Sequence, residues 1–311
     1  MNQEPKKDKI IIVDFGSQVT KLIARRVREH KVFSEILTLK DLNKKNTFKN
    51  VKGIILSGGP ATVAKKNFPN IPTQIFNLNI PILGICYGLQ LIVKHFNGKV
   101  KSNIKKREFG RAQLTKFKDS LLTKNFFFKN KCSVWMSHQD SVYKLPAGFT
   151  KIASTKESVM TIIENKKKKI YGIQFHPEVT HTDNGNIIFK NFLFKICKVK
   201  KQWKMNIEKK IIIENIKHEV QKDKVICALS GGVDSSVVAL LVNKAIGKRL
   251  KCIMVDTGLM RKDEFKHTYK IFKNNYKLNV KIINASKIYF KKLKNVTDPE
   301  KKRKIIGNLF I

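Results

Sequence analysis

A chain of 311 residues is long enough for two domains of ordinary size, because a single hydrophobic core seldom grows past roughly 250–300 residues. Its 64 Lys and Arg against 23 Asp and Glu give a formal net charge of +41, but the excess is mostly lysine spread over nearly every segment. Asn, Ile and Phe, also written with A/T-rich codons, are abundant too, so codon bias explains the charge, and without a helix-turn-helix, zinc-finger or RNP pattern no specific nucleic-acid partner is expected.

In chain order, Met1–Lys9 is charged and lacks the apolar stretch and cleavage site of a secretory signal. A strand-like block, Lys9–Val13, precedes a helix-like segment, Val19–His30; the block Gly53–Leu56 follows, and then Pro81–Gly84 before a helical Gly88–Phe96. This alternation predicts an α/β domain with a largely parallel sheet. The longest uncharged run, 67–93, is broken by Pro69, Pro72 and Pro81 and lacks the ~20 predominantly apolar residues of a membrane span. No membrane partner and a cytoplasmic location are therefore expected. Shorter strands are predicted at Ala112–Phe117, Ser133–Met136, Thr150–Ser154, Met160–Glu164 and Ile170–Gln174, with a closing helix at Ile187–Cys197. The basic stretch Lys198–Lys204 loses the apolar periodicity, which places a boundary near residue 200 and gives domains 1–200 and 201–311. In the second, Ile207–Val220 reads as a helix, Lys224–Leu229 as a buried strand and Ser235–Ala245 as a helix. Lys251–Val255 is a strand, Glu264–Asn275 a helix and Leu278–Asn284 a third strand.

Two segments carry chemistry in the first domain. The five cysteines are widely spaced with no CxxC pair, and only Cys86 lies in a Gly-flanked turn, between a strand and a helix. Glycines at 84 and 88 permit the strained backbone that exposes a nucleophile, and a helix N-terminus favours the thiolate. A base is available in Gln174-Phe175-His176-Pro177-Glu178, where Pro177 stiffens the turn and Glu178 lies close enough to orient the imidazole. His138 and His181 compete on spacing, since each has an acid two residues on, Asp140 and Asp183.

The first 200 residues resemble class I glutamine amidotransferases, whose fold is flavodoxin-like. The likeness lies in Asp14-Phe15-Gly16-Ser17-Gln18, Ser57-Gly58-Gly59-Pro60, Cys86-Tyr87-Gly88-Leu89-Gln90, Trp135-Met136-Ser137-His138 and His176-Pro177-Glu178-Val179-Thr180-His181-Thr182. The resemblance implies a Cys86–His176–Glu178 triad that hydrolyses the glutamine side-chain amide. It also implies oxyanion donors at the backbone N–H groups of Gly59 and Tyr87, and a glutamine contact at Gln90.

The second site is Ser230-Gly231-Gly232-Val233-Asp234-Ser235-Ser236, between a strand and a helix. Adjacent glycines let backbone N–H groups converge on an anion, the serines add donors, and the helix dipole reinforces the site. The lysine of a Walker A loop is missing, and Asp234 is suited to hold Mg²⁺ against phosphate oxygens. This loop resembles the signature of the N-type ATP pyrophosphatases, which adenylylate a carbonyl oxygen with ATP, and implies ATP binding across 230–236 in a Rossmann-like domain. The stretches Lys251–Arg261 and Asp298–Gly307 match as well, and in the family Arg303 of the latter is associated with the xanthosine nucleotide.

An amidotransferase ahead of such a loop, with these two segments, resembles the GMP synthase family. The resemblance implies GMP synthesis from XMP, ATP and glutamine. That family continues beyond the position of Ile311 through a lid and a C-terminal domain that binds XMP and forms a homodimer, so the second domain is read as incomplete. Three expectations stay open: GMP synthesis, completed by a partner chain if necessary; glutamine hydrolysis alone; and a non-catalytic basic protein binding nucleic acid.

Overall fold

A computed structural model describes residues 8–65, 67–102 and 107–310, so most of the charged start of the chain lies outside it. The chain divides into two compact units, Met1–Trp203 and Lys204–Ile311.

The first unit is built on a nine-stranded sheet in the order β2-β1-β3-β4-β11-β10-β9-β6-β7. Its strands are β1 (Lys9–Val13), β2 (Phe33–Leu37), β3 (Val51–Leu56), β4 (Ile82–Ile85), β6 (Glu108–Lys116), β7 (Lys131–His138), β9 (Thr150–Ser154), β10 (Ile162–Asn165) and β11 (Ile170–Ile173). The pairings from β2 through β11 are parallel, whereas β11-β10-β9-β6-β7 pair antiparallel. The expected largely parallel sheet is thus parallel only in its first half; the antiparallel second half needs no crossover helices. The order 2-1-3-4-11 in the parallel half is the doubly wound arrangement of flavodoxin-like sheets. A separate two-stranded sheet pairs β5 (Lys99–Ser102) with β8 (Asp140–Lys144).

Strand β1 shows why this half is stable. Ile10 and Ile12 face one core, and Ile11 and Val13 face another, all fully buried. Helices α1 (Thr20–Glu29) and α3 (Gly185–Lys190, continued by a π-helical turn at Asn191–Ile196) pack Ile23, Val27, Ile188 and Phe192 into the first core. Helix α2 (Tyr87–His95) brings Leu91 and Ile92 to the second. Cover on both faces explains the apolar runs of β1 and β4 and of residues 53–56 in β3, where a half-solvated strand would alternate.

The second unit has a three-stranded parallel sheet, β12 (Val225–Ala228), β13 (Leu250–Asp256) and β14 (Val280–Asn284), in that order. Its helices are α4 (Met205–Val220), α5 (Val233–Ile246), α6 (Glu264–Lys270, extended to Asn275 by a π-helical turn), α7 (Ser286–Leu293) and α8 (Pro299–Phe310). Strand β12 is not the buried strand its composition predicts. It lies at the sheet edge, and Ile226 is 70% exposed. No helix of the described residues is long and apolar enough to cross a membrane.

Candidate active site

In the first unit the parallel strands deliver their carboxyl ends to one edge of the sheet, where doubly wound folds place their ligands. The segments after β1, β3, β4 and β11 therefore meet: 14–17, 57–60, Cys86 and 174–178. Ile85 and Ile173 are register partners, and the Cys86 N–H donates to the Ile173 carbonyl at 2.8 Å. Adjacent parallel strands thus carry the thiol and, three residues past Ile173, the imidazole.

Cys86 sits at φ 51°, ψ −102°, a conformation that costs a non-glycine residue about 1–3 kcal/mol. Close packing of the turn enforces it. A Cβ on Gly84 would lie 2.5 Å from the Gly88 carbonyl carbon, and one on Gly88 would lie 2.4 Å from the Leu56 carbonyl oxygen. Strand, turn and helix can approach this closely only with glycine at both positions, and the approach turns the Cys86 side chain toward β11. Tyr87 opens α2, so its N–H belongs to the first turn, where donors have no intrahelical acceptor.

The His176 Nδ1 lies 2.7 Å from the fully buried Glu178 carboxylate, and its ring faces Cys86. Burial alone would favour the neutral imidazole. Hydrogen bonds to Cys86 and Glu178 outweigh it and lift the His176 pKa to about 10, so the ring carries its proton at neutral pH. The surroundings hold this pair tightly. Arg26 Nε–H donates to the Glu178 carbonyl at 3.0 Å, the Thr182 hydroxyl donates to the His176 carbonyl at 2.6 Å, and the His176 N–H donates to the Trp135 carbonyl at 3.0 Å.

The rival histidines are placed otherwise. His138 is buried against Glu108, Nε2 to Oε2 3.2 Å, while Asp140 receives the Thr62 hydroxyl. His181 packs tilted against Trp135 with ring centroids 4.5 Å apart. Among the described residues, His176 is the histidine in contact with the thiol.

The glycine loop after β3 closes the other side. The Phe15 N–H donates to Ser57 Oγ at 3.1 Å, and a Cβ on Gly59 would lie 2.8 Å from the Phe15 carbonyl. A Cβ on Gly58 would meet His176 Cε1 at 3.2 Å and Cys86 Cβ at 3.7 Å. Gln90 is buried and donates through Nε2 to the Asp140 carbonyl at 2.9 Å. The Tyr87 hydroxyl donates to the Pro69 carbonyl, and burial pushes its pKa up to about 12.

Sequence reasoning passed over two neighbours of the thiol. Gly58 counted only as part of a glycine-rich stretch. Gln174 counted only as a strand end, yet its Nε2 donates to Cys86 Sγ at 3.7 Å. Gln174 and His176 both lie just past the end of β11 at Ile173, where strand alternation no longer applies, so the contact was not legible from spacing.

In the second unit the loop 230–236 joins β12 to α5. Gly231 adopts φ +84°, and Gly232 caps the helix. Ser230 Oγ lies 3.0 Å from Ser235 Oγ and accepts from the Gly232 N–H at 3.3 Å, while the Ser236 hydroxyl donates to the Gly232 carbonyl at 2.6 Å. The hydroxyls are thus gathered at the N-terminus of a 14-residue helix, and Val233 and Asp234 are exposed in its first turn. No group of three or more His, Cys, Asp or Glu capable of holding a metal occurs among the described residues, so Asp234 would need phosphate oxygens to complete a cation's shell. Arg303 lies on the exposed helix α8 and is paired with Glu300 at 2.7 Å.

Comparison with known proteins agrees with the two-unit division. A family profile described as "Glutamine amidotransferase class-I" matches residues 11–196, and one described as "NAD synthase" matches 205–309. Among curated proteins, "GMP synthase [glutamine-hydrolyzing]" of Brachyspira hyodysenteriae is 49% identical over 305 residues, and that of Clostridium botulinum is 48% identical over 309. Each alignment covers 98% of this chain, which spans 59% of the length of these relatives. A solved structure from Thermoplasma acidophilum, named as one subunit of a GMP synthase, superposes with a TM-score of 0.53. It is 32% identical and is 94% covered by 61% of this chain.

Proposed function

We propose that this chain, which belongs to the family of class-I glutamine amidotransferases, releases ammonia from glutamine at Cys86 for the ATP-dependent amination of XMP to GMP. The observation that carries the reading is the Cys86–His176–Glu178 arrangement. A thiol held at positive φ beneath a helix N-terminus faces an imidazole that stays protonated to about pH 10, against a fully buried carboxylate.

In this mechanism the Cys86 thiolate attacks the side-chain amide carbon of glutamine. Negative charge develops on the amide oxygen, where the N–H groups of Gly59 and Tyr87 would receive it, a contribution worth about 3–4 kcal/mol per donor in comparable sites. His176 gives its proton to the departing nitrogen, and ammonia leaves as the C–N bond breaks. The neutral imidazole then takes a proton from water, hydroxide adds to the thioester, and glutamate leaves as the C–S bond breaks. Glu178 keeps Nδ1 engaged, so that Nε2 is the nitrogen that works. Gln90 would contact the bound glutamine.

In the second unit the 230–236 loop would cradle the pyrophosphate of ATP on its N–H groups and hydroxyls, with Asp234 holding Mg²⁺ against the same oxygens. Mg²⁺ would neutralise phosphate charge during adenylylation of XMP. Arg303, now paired with Glu300, would contribute to binding XMP. The second reading is glutamine hydrolysis without amination, or amination completed with a partner chain; the relatives named for this reaction are longer than the sequence that matches them.

One assay separates the two. The protein is given XMP, Mg²⁺-ATP and either glutamine or ammonium, and both GMP and glutamate are measured. Glutamate release that falls to background in Cys86→Ala is expected. Absence of glutamate from the intact protein would sink the amidotransferase reading, and absence of GMP with both nitrogen donors would leave hydrolysis alone.

A further inference from the structure

Gln174 is 1% exposed, and its carboxamide is only half used. Nε2 donates to Cys86 Sγ at 3.7 Å, while Oε1 is buried with no hydrogen-bond partner among the described residues. Buried polar atoms are nearly always satisfied, and an orphan acceptor is destabilising, so a side chain that carries one calls for an explanation. Leucine or methionine would fill the same space without it. What they could not supply is the N–H that points at sulfur.

A neutral thiol gains little from such a donor, whereas a thiolate accepts strongly. The other groups around the sulfur sharpen the contrast. From β11 comes His176, backed by Glu178; from β7 comes the Ser137 carbonyl, 3.8 Å away, an acceptor that suits a thiol and opposes a thiolate. Asp140, after β7, is turned to Thr62, the Tyr87 hydroxyl of α2 is turned to Pro69, and α2 itself contributes its N-terminus. The side-chain donors to the sulfur are thus His176 and Gln174. His176 must surrender its proton to the leaving nitrogen, so during part of the cycle Gln174 is the donor that remains.

We propose that Gln174 is a catalytic residue whose amide N–H stabilises the Cys86 thiolate before attack and receives it again when the thioester breaks. The proposal rests on the glutaminase reading of this site. In acylation the S–C bond forms and the C–N bond breaks with the proton of His176. In deacylation water adds, its proton passes to His176, the C–S bond breaks, and the electron pair returns to a sulfur facing Gln174 Nε2.

The test is alkylation of Cys86 by iodoacetamide in the full chain, followed by peptide mass spectrometry between pH 6 and 10, in Gln174→Leu, Gln174→Met and Gln174→Glu. The Leu and Met variants are expected to react about tenfold more slowly at pH 7, the deficit closing at pH 10, with a melting temperature unchanged or raised because the orphan acceptor is gone. Gln174→Glu, isosteric and charged, should react more slowly still at pH 7. In glutamate release, kcat should fall about tenfold in the Leu and Met variants with KM for glutamine within about twofold. Profiles that superpose on the unaltered protein in a folded variant would overturn the proposal. If Leu and Met fail to fold, wild-type alkylation in Gln174→Glu overturns it equally. Because alkylation needs no turnover, failure of the unaltered protein to release glutamate would count against the glutaminase reading and leave the alkylation result to decide the role of Gln174.

Discussion

Strands β1 and β12 have nearly interchangeable sequences, KIIIV and VICA, and opposite fates. Ile10–Val13 are all fully buried, while Ile226 of β12 is 70% exposed. Helices differ likewise. Nine-residue α2 buries seven residues, whereas sixteen-residue α4 buries none. In the second unit the main buried cluster is Leu229, Ala239, Ile246, Leu250, Cys252, Met254, Phe272 and Leu278, with Tyr289 buried apart from it, while Val237, Val238, Ile283, Ile288 and Phe290 are exposed. Composition sets how much apolar surface a segment can bury; neighbouring elements decide whether it does. The first unit supplies cover for both sheet faces, and the buried His176–Glu178 pair is found there.

The contrast is broken or confirmed most directly by paired truncations. Ile12→Ala in β1 should destabilise the first unit by about 2–5 kcal/mol, the usual range for deleting a packed aliphatic side chain. Ile226→Ala in β12 should change stability by less than about 0.5 kcal/mol. Amide hydrogen exchange of the two strands, read separately, checks both. A large loss on Ile226→Ala would mean that β12 is covered in solution.

A smaller effect of both signs comes from glycine. Gly88→Ala drives a methyl to 2.4 Å from the Leu56 carbonyl oxygen, and overpacking of that kind costs about 1–3 kcal/mol. Gly307, inside the exposed helix α8, has nothing within 4 Å of an added Cβ. Gly307→Ala should therefore stabilise α8 by about 0.5–1 kcal/mol. Calorimetry of the two variants gives both signs, and a destabilised Gly307→Ala would show that α8 is packed.

The same contrast explains what was legible in the sequence. Lys9–Val13 was readable to the residue because its run of β-branched residues is bounded by polar ones, and Thr150–Ser154 was also delimited correctly despite Lys151 within it. Strand β2, with Ser34 and Glu35 inside FSEIL, and the charged pair β5 and β8 gave no such run, since edge and two-stranded pieces need little apolar surface. Helix α8 was hidden by its lysines. At the site, Cys86 and His176 stood out by type and spacing, but only the parallel pairing of β4 with β11 makes them neighbours. Spacing could not choose among three histidines either; Glu108, thirty residues from His138 in sequence, is what occupies that ring. The orphan Oε1 of Gln174 exists only in three dimensions.

The least effect expected is on pH dependence. His176 holds its proton to about pH 10 in the folded chain against an ordinary value near 6.5. A raised folded value stabilises through a proton that the unfolded chain gives up first. The contribution is therefore whole below about pH 6.5 and drains away as pH climbs toward 10. Cys86 shares in raising the His176 value, so the part owed to Glu178 is isolated in a Cys86→Ser background, where Glu178 remains as the acidic partner of the ring. There, Glu178→Gln should lower the melting temperature by about 2–4 °C at pH 6.5, the shift of about 1 kcal/mol in a unit of this size. By pH 10 the two proteins should melt together. A gap that stayed constant over that range would place the effect of Glu178 in packing, and the buried pair would then owe its position to the surrounding sheet and not to its charge.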